Sequence, residues 1–172
     1  MGIVSPIGED VAQVTQSLRD GRSGIVFCEE YAERGFRSHV HGAPTVDFDE
    51  KIDRKLRRFM GDGAAYGYIA MQEAINDSGL QEKDITSERT GLVMGSGGPS
   101  TSAQVLAVDT AREKGPKRVG PYAVPKAMSS TVSANLSTAF HTRGLSYSIS
   151  SACSTSAHCI GNGAELIQWG KQ

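Results

Sequence analysis

The chain has 172 residues, a formal net charge of −1, three cysteines and 20 glycines. That length suits one domain with a real core, and so small a net charge excludes a field able to hold nucleic acid or an anionic membrane surface along the whole chain. No apolar run approaches the roughly 20 residues of a membrane span, and an odd set of three cysteines without repeated spacing argues against a secreted disulfide framework and points to a reducing, cytoplasmic setting.

Met1 to Gly8 reads as the tail of a strand and a turn, followed by a helix whose Val11, Val14 and Leu18 share a face and which Gly21 and Gly24 end. Residues 25–49 have no clear period and read as a long excursion. Residues 52–60 are strongly basic, and 64–78 predict a helix with Ala65, Ile69, Ala70 and Ile75 inward and Gly79 as its stop. Residues 90–95 (TGLVMG) read as a short buried strand opening onto Ser96, Gly97, Gly98 and Pro99. A helix over 102–112, a basic loop over 115–121 and a second helix over 126–140 come next. The alternation of Leu145, Tyr147 and Ile149 with Ser146, Ser148 and Ser150 then predicts a strand. Downstream, Ile160, Ala164 and Ile167 recur at helical spacing before Gly170. Strands alternating with helices favour a layered α/β architecture with mostly parallel pairing.

Cys153 falls where the last strand runs into the last helix. A thiol at a helix's first turn faces free backbone N–H groups and the positive end of the helix dipole, which favours the thiolate. That makes Cys153 a candidate nucleophile, the alternative being a small buried hydrophobe. Cys159, mid-helix, reads as packing, and Cys28 as neutral.

The run Gly95-Ser96-Gly97-Gly98 invites a phosphate-loop reading, because N–H groups at a helix start bind anions. No Gly-Lys-Ser/Thr or Gly-x-Gly-x-x-Gly pattern supports it, so a tight turn that admits a neighbouring backbone is the better reading. His39, His41, His141 and His158 have no metal-ligand spacing. His158, five residues past Cys153, lies about 500° round the helix and is a poor base for that thiol. Arg54, Lys55, Arg57 and Arg58, with a second cluster of Arg112, Lys114, Lys117 and Arg118, each read as a solvated face. Together they make a docking patch for an acidic partner conceivable.

The closing segment SISSACSTSAHCIGNGAELIQWGKQ resembles the nucleophile segment of the β-ketoacyl-acyl-carrier-protein synthases, type I more than type II. GIVSPIG, GRSGI, SHVHG, IDRKLRRFM, GLVMGSGG and VGPYAVPKAMSS resemble further blocks of that family in the right order, so the resemblance covers the whole chain. It implies the thiolase-like layered fold, a homodimer and no cofactor. It also implies that Cys153 takes an acyl chain from acyl carrier protein as a thioester, which a malonyl-derived carbanion then attacks, lengthening the chain by two carbons.

By the same resemblance, Met128 and the Gly97-Gly98 loop border the acyl chain, and Arg54, Lys55, Arg58 and Lys117 meet the acidic carrier protein. The Cys153 N–H would supply half of an oxyanion hole. The family's two catalytic histidines, its lysine and its Gly-Phe-Gly-type loop have no counterpart in this sequence, and His41-Gly42-Ala43 and His141-Thr142-Arg143 do not substitute for them. Residues 1–172 therefore read as a partial N-terminal thiolase-like domain, unable by itself to carry out the decarboxylating step. The rival readings are a non-catalytic module for carrier docking and dimer contacts, and a cysteine hydrolase, which would need a histidine near Cys153 in space.

Overall fold

Local capping chemistry and short stretches of strand pairing set the architecture of the computed structural model, which describes residues 1–172. In chain order the elements are α1 (Val11–Arg19), β1 (Val26–Phe27), α2 (Glu29–Glu33), β2 (Val40–His41), α3 (Phe48–Lys51), α4 (Arg54–Arg57), α5 (Asp62–Ser78), α6 (Glu82–Ile85), β3 (Leu92–Val93), α7 (Thr101–Lys114), α8 (Ala123–Ala127), α9 (Thr131–Phe140), β4 (Ser146–Tyr147) and α10 (Thr155–Gln168), with 3₁₀ turns at Pro116–Arg118 and Ala152–Ser154. None of the helices is long and apolar enough to cross a membrane.

Two compact units emerge, Met1–Lys51 with Ile69–Gly79, and Ile52–Tyr68 with Leu80–Gln172. In the first, the Asp10 carboxylate caps α1 by accepting the Gln13 N–H at 2.7 Å, the N-cap device that satisfies an otherwise free helix donor. The Glu73 carboxylate accepts the N–H groups of Ile3 and Val11 at 2.9 and 2.8 Å. The inward stripe of α1 runs through Val14 and Ser17, because the Ser17 hydroxyl donates to the Ile7 carbonyl at 2.7 Å. Leu18, expected on that face, is instead 69% exposed. Residues 25–49 are more ordered than their sequence suggests: β1 and β2 pair antiparallel, Val26 opposite His41 and Phe27 opposite Val40. The pattern gives no hint of this because Val26, Phe27 and Val40 all remain exposed, so the hairpin has no buried face to impose alternation.

The second unit holds the parallel pair, with Leu92 in register with Ser146 and Val93 with Tyr147. Ile52, Met60, Ala64, Ala65, Leu92, Val132, Leu136, Cys159 and Leu166 form its buried apolar set. The single helix expected over 126–140 divides into α8 and α9. Met128 turns extended, while the Thr131 hydroxyl, not a helical amide, bonds the Pro125 carbonyl at 2.6 Å. The buried stripe of α10 is Thr155, Cys159 and Leu166, and α10 packs against β3. Ile160 and Ile167, each one position further along and so about 100° round the helix, are exposed.

Candidate active site at the Cys153 turn

The parallel register brings the carboxyl ends of β3 and β4 side by side, Leu92 N–H donating to Leu145 O at 2.7 Å and Met94 N–H to Tyr147 O at 3.3 Å. The loops that leave these strands, 95–99 and 148–152, therefore emerge together, the position at which open α/β sheets present ligand sites. Their packing needs glycine. A Cβ on Gly95 would lie 2.0 Å from the Ile149 carbonyl oxygen and 2.7 Å from Thr155 Cγ2, and one on Gly97 would lie 3.0 Å from the Ala152 oxygen. The glycine run thus admits a neighbouring backbone, as its sequence suggests. A Cβ on Gly98 would meet nothing within 4 Å.

Ala152 turns the chain with φ of +45°, a left-handed conformation that L-residues with a Cβ seldom adopt. The 3₁₀ turn Ala152–Ser154 carries Cys153 and leads directly into α10. Cys153 is exposed, whereas Cys28 and Cys159 are buried, in keeping with the packing role read for Cys159. Thr155, only 3% exposed, anchors the turn: its hydroxyl accepts the Ser151 N–H and donates to the Ala152 carbonyl, both at 2.8 Å. Ser133 of α9 and Ser148 beyond β4 share a hydroxyl hydrogen bond of 2.7 Å, which braces the strand exit. His158 is exposed on α10, and its carbonyl accepts from the Asn162 amide at 3.0 Å.

The structure brings together Gly97 and the Cys153 turn, and leaves the other sequence-derived residues elsewhere in the unit. Met128 lines an apolar cleft of about 270 Å³ with Leu56, Phe59, Met60 and Pro125. Arg54 and Lys55 are exposed on α4, Arg58 is its C-cap, and Lys117 is exposed in the 3₁₀ turn. Arg57, embedded in the same basic run, turns away to ion-pair with Asp62 at 2.8 Å. Arg58 donates to the Tyr122 hydroxyl at 3.3 Å, with its guanidinium carbon 5.8 Å from the ring centroid, and Phe59 meets the same ring edge-on at 5.0 Å. Sequence reasoning missed both Tyr122, 64 residues away along the chain, and Thr155. For Thr155 a signal existed, since a hydroxyl residue at a helix start commonly bonds nearby backbone.

A sequence profile described as the N-terminal domain of β-ketoacyl synthase matches residues 1–172. The chain belongs to the β-ketoacyl synthase family. It is 52% identical over 172 residues to the 3-oxoacyl-[acyl-carrier-protein] synthase 1 of Haemophilus influenzae, matching 99% of this chain and 42% of that one. It is likewise 52% identical to the protein of the same name from Escherichia coli, over 100% of this chain and 43% of that one. The chain thus spans about two-fifths of the length of the curated relatives it matches. A β-ketoacyl synthase from Burkholderia phymatum shares the fold, with a TM-score of 0.83 at 23% identity over 99% of this chain and 43% of the other. So does a type II polyketide ketosynthase solved in complex with its acyl-carrier protein, with a TM-score of 0.76 at 19% identity over 99% of this chain and 45% of the other. The fold is that of the N-terminal part of the thiolase-like ketosynthases.

Proposed function

We propose that residues 1–172 are a partial thiolase-like domain carrying the acyl-accepting machinery of a β-ketoacyl-[acyl-carrier-protein] synthase of fatty-acid elongation. Exposure of Cys153 on a strained turn beside a glycine loop carries this reading. In the proposed step the Cys153 sulfur, having released its proton to solvent, attacks the thioester carbonyl of an acyl-carrier protein. A new C–S bond forms, the carrier's sulfur departs and takes up a proton, and the acyl group remains on Cys153. The developing oxyanion is met by the Cys153 N–H, a kind of donor whose removal commonly costs about 3 kcal/mol of transition-state stabilisation. Condensation with a malonyl-derived carbanion completes the cycle in the whole enzyme.

Gly97, packed on the Cys153 turn, and Gly98 border the acyl tunnel, and Met128, which lines a separate apolar cleft, borders it near the dimer interface. Arg54, Lys55, Arg58 and Lys117 form the cationic surface for the acidic carrier protein. The homodimer that the family resemblance implies would cover part of the apolar side chains left exposed, among them Val105 and Val108 of α7 and Val124 of α8. The setting is cytoplasmic and no cofactor takes part.

The test is incubation of the chain with an acyl-carrier protein, read by intact mass. The chain should gain the mass of the acyl group, and Cys153→Ala should gain nothing. A folded chain whose Cys153 is alkylated by iodoacetamide, yet takes no acyl group, would overturn the reading.

A further inference from the structure

We infer that Thr155 is a positioning residue which fixes the direction of the Cys153 N–H, an inference that rests on the acyl-acceptor reading above. The Thr155 hydroxyl accepts the Ser151 N–H and donates to the Ala152 carbonyl, each at 2.8 Å. It therefore brackets Ser151 (φ −149°, ψ 47°) and Ala152 (φ +45°), the residues that make the turn. An alanine at positive φ persists only where its surroundings hold it.

The Ala152 carbonyl and the Cys153 N–H belong to one planar trans peptide unit, and no peptide bond in the chain is cis. Fixing the carbonyl oxygen therefore fixes where the N–H points. The carbonyl accepts a second bond from the Thr155 N–H, so a single residue holds this oxygen through both its backbone and its side chain. Burial supports the assignment, because a hydroxyl with almost no solvent access has no water to take over its two bonds. The methyl half of the side chain has a separate job, seating against Gly95.

The two halves of Thr155 can be removed separately. Thr155→Val keeps the methyl and loses the hydroxyl, and Thr155→Ser does the reverse. Two rates on Cys153 are compared: acyl transfer from an acyl-carrier protein, which develops an oxyanion, and alkylation by iodoacetamide, which develops none. Misplacement of about 1 Å can cost on the order of 100-fold in a positioned reaction. Thr155→Val should thus slow acyl transfer by roughly 10-fold or more while alkylation stays within about threefold, and Thr155→Ser should restore acyl transfer.

Unchanged acyl transfer in Thr155→Val, an equal fall in both rates, or a Thr155→Ser as slow as Thr155→Val would each overturn the inference while leaving the acyl-acceptor reading intact. If wild-type chain alkylates but never acylates, the acyl-acceptor reading fails and the inference falls with it. Should Thr155→Val not fold, amide hydrogen exchange decides. The Ser151 N–H should be protected in the wild type and in Thr155→Ser, and fast exchange there would overturn the inference.

Discussion

The Cys153 turn and the basic surface around Arg58 lie in the same unit and are built in opposite ways. The turn is made by backbone: Gly95 leaves no room for a Cβ against Ile149, Gly97 leaves only a tight fit against Ala152, and a buried hydroxyl ties its two ends. The basic run is made by side-chain tips, with Arg54 and Lys55 exposed and Arg58 held by the exposed Tyr122. A close-packed backbone contact has nowhere to relax, whereas a solvated cation changes rotamer freely and loses little. Single substitutions should therefore act almost all-or-none at the turn and by degrees at the surface.

The sharpest way to break that contrast is Gly95→Ala. One methyl would have to share space with the Ile149 carbonyl and Thr155 Cγ2, and overpacking that backbone must absorb costs about 3 kcal/mol or more. The variant should fail to fold or melt far below the wild type by circular dichroism. Gly98→Ala, three residues on, meets open space and should stay within about 0.5 kcal/mol of wild type. If Gly95→Ala melts like Gly98→Ala, the turn is not the rigid region described here.

The unequal construction explains what could be read from the sequence. The Cys153 turn was legible because its determinants are local: a serine-interleaved strand, a cysteine and a helix start lie within one short stretch, and the GLVMGSGG loop declares its need for close approach by composition. The thiolase-like fold followed from blocks in order along the whole chain. The Arg58–Tyr122 contact was not legible, since the two residues are 64 apart and neither side chain carries a periodic signal. Charge spacing alone also cannot separate Arg57, ion-paired to Asp62, from the solvent-facing cations beside it. The inward faces of α1 and α10 were set by a hydroxyl bond and by packing on β3, which overrode the apolar spacing of Leu18, Ile160 and Ile167.

At the basic surface the expected effects are smaller and graded. Arg58→Ala should weaken binding of an acidic carrier protein by roughly fivefold at low salt, an effect that shrinks as salt rises. Tyr122→Leu should weaken it by roughly twofold, because Arg58 keeps its charge and loses only its orientation. Tyr122→Phe, which retains the ring contacts to Arg58 and Phe59, should fall between Tyr122→Leu and wild type. Titration by fluorescence anisotropy at two salt concentrations resolves these steps. An Arg58→Ala loss independent of salt would show that the residue acts through packing, and would remove it from the cationic surface.

The smallest effect tests how far the basic segment is closed off from water where Arg57 pairs with Asp62 at the start of α5. The Tyr66 phenol is pushed above its ordinary value, first by burial and then by the Asp62 carboxylate, with Arg57 opposing in part. The folded chain therefore holds this proton more tightly than the unfolded chain. The resulting stability is fully present below the unfolded tyrosine value of about 10 and is lost as pH rises through the higher folded value. Melting temperatures measured from pH 9 to pH 11 should fall more steeply for the wild type than for Tyr66→Phe, which has no proton to lose. Parallel curves would mean that water reaches the phenol freely, and that the segment behind the cationic surface is as solvated as the surface itself.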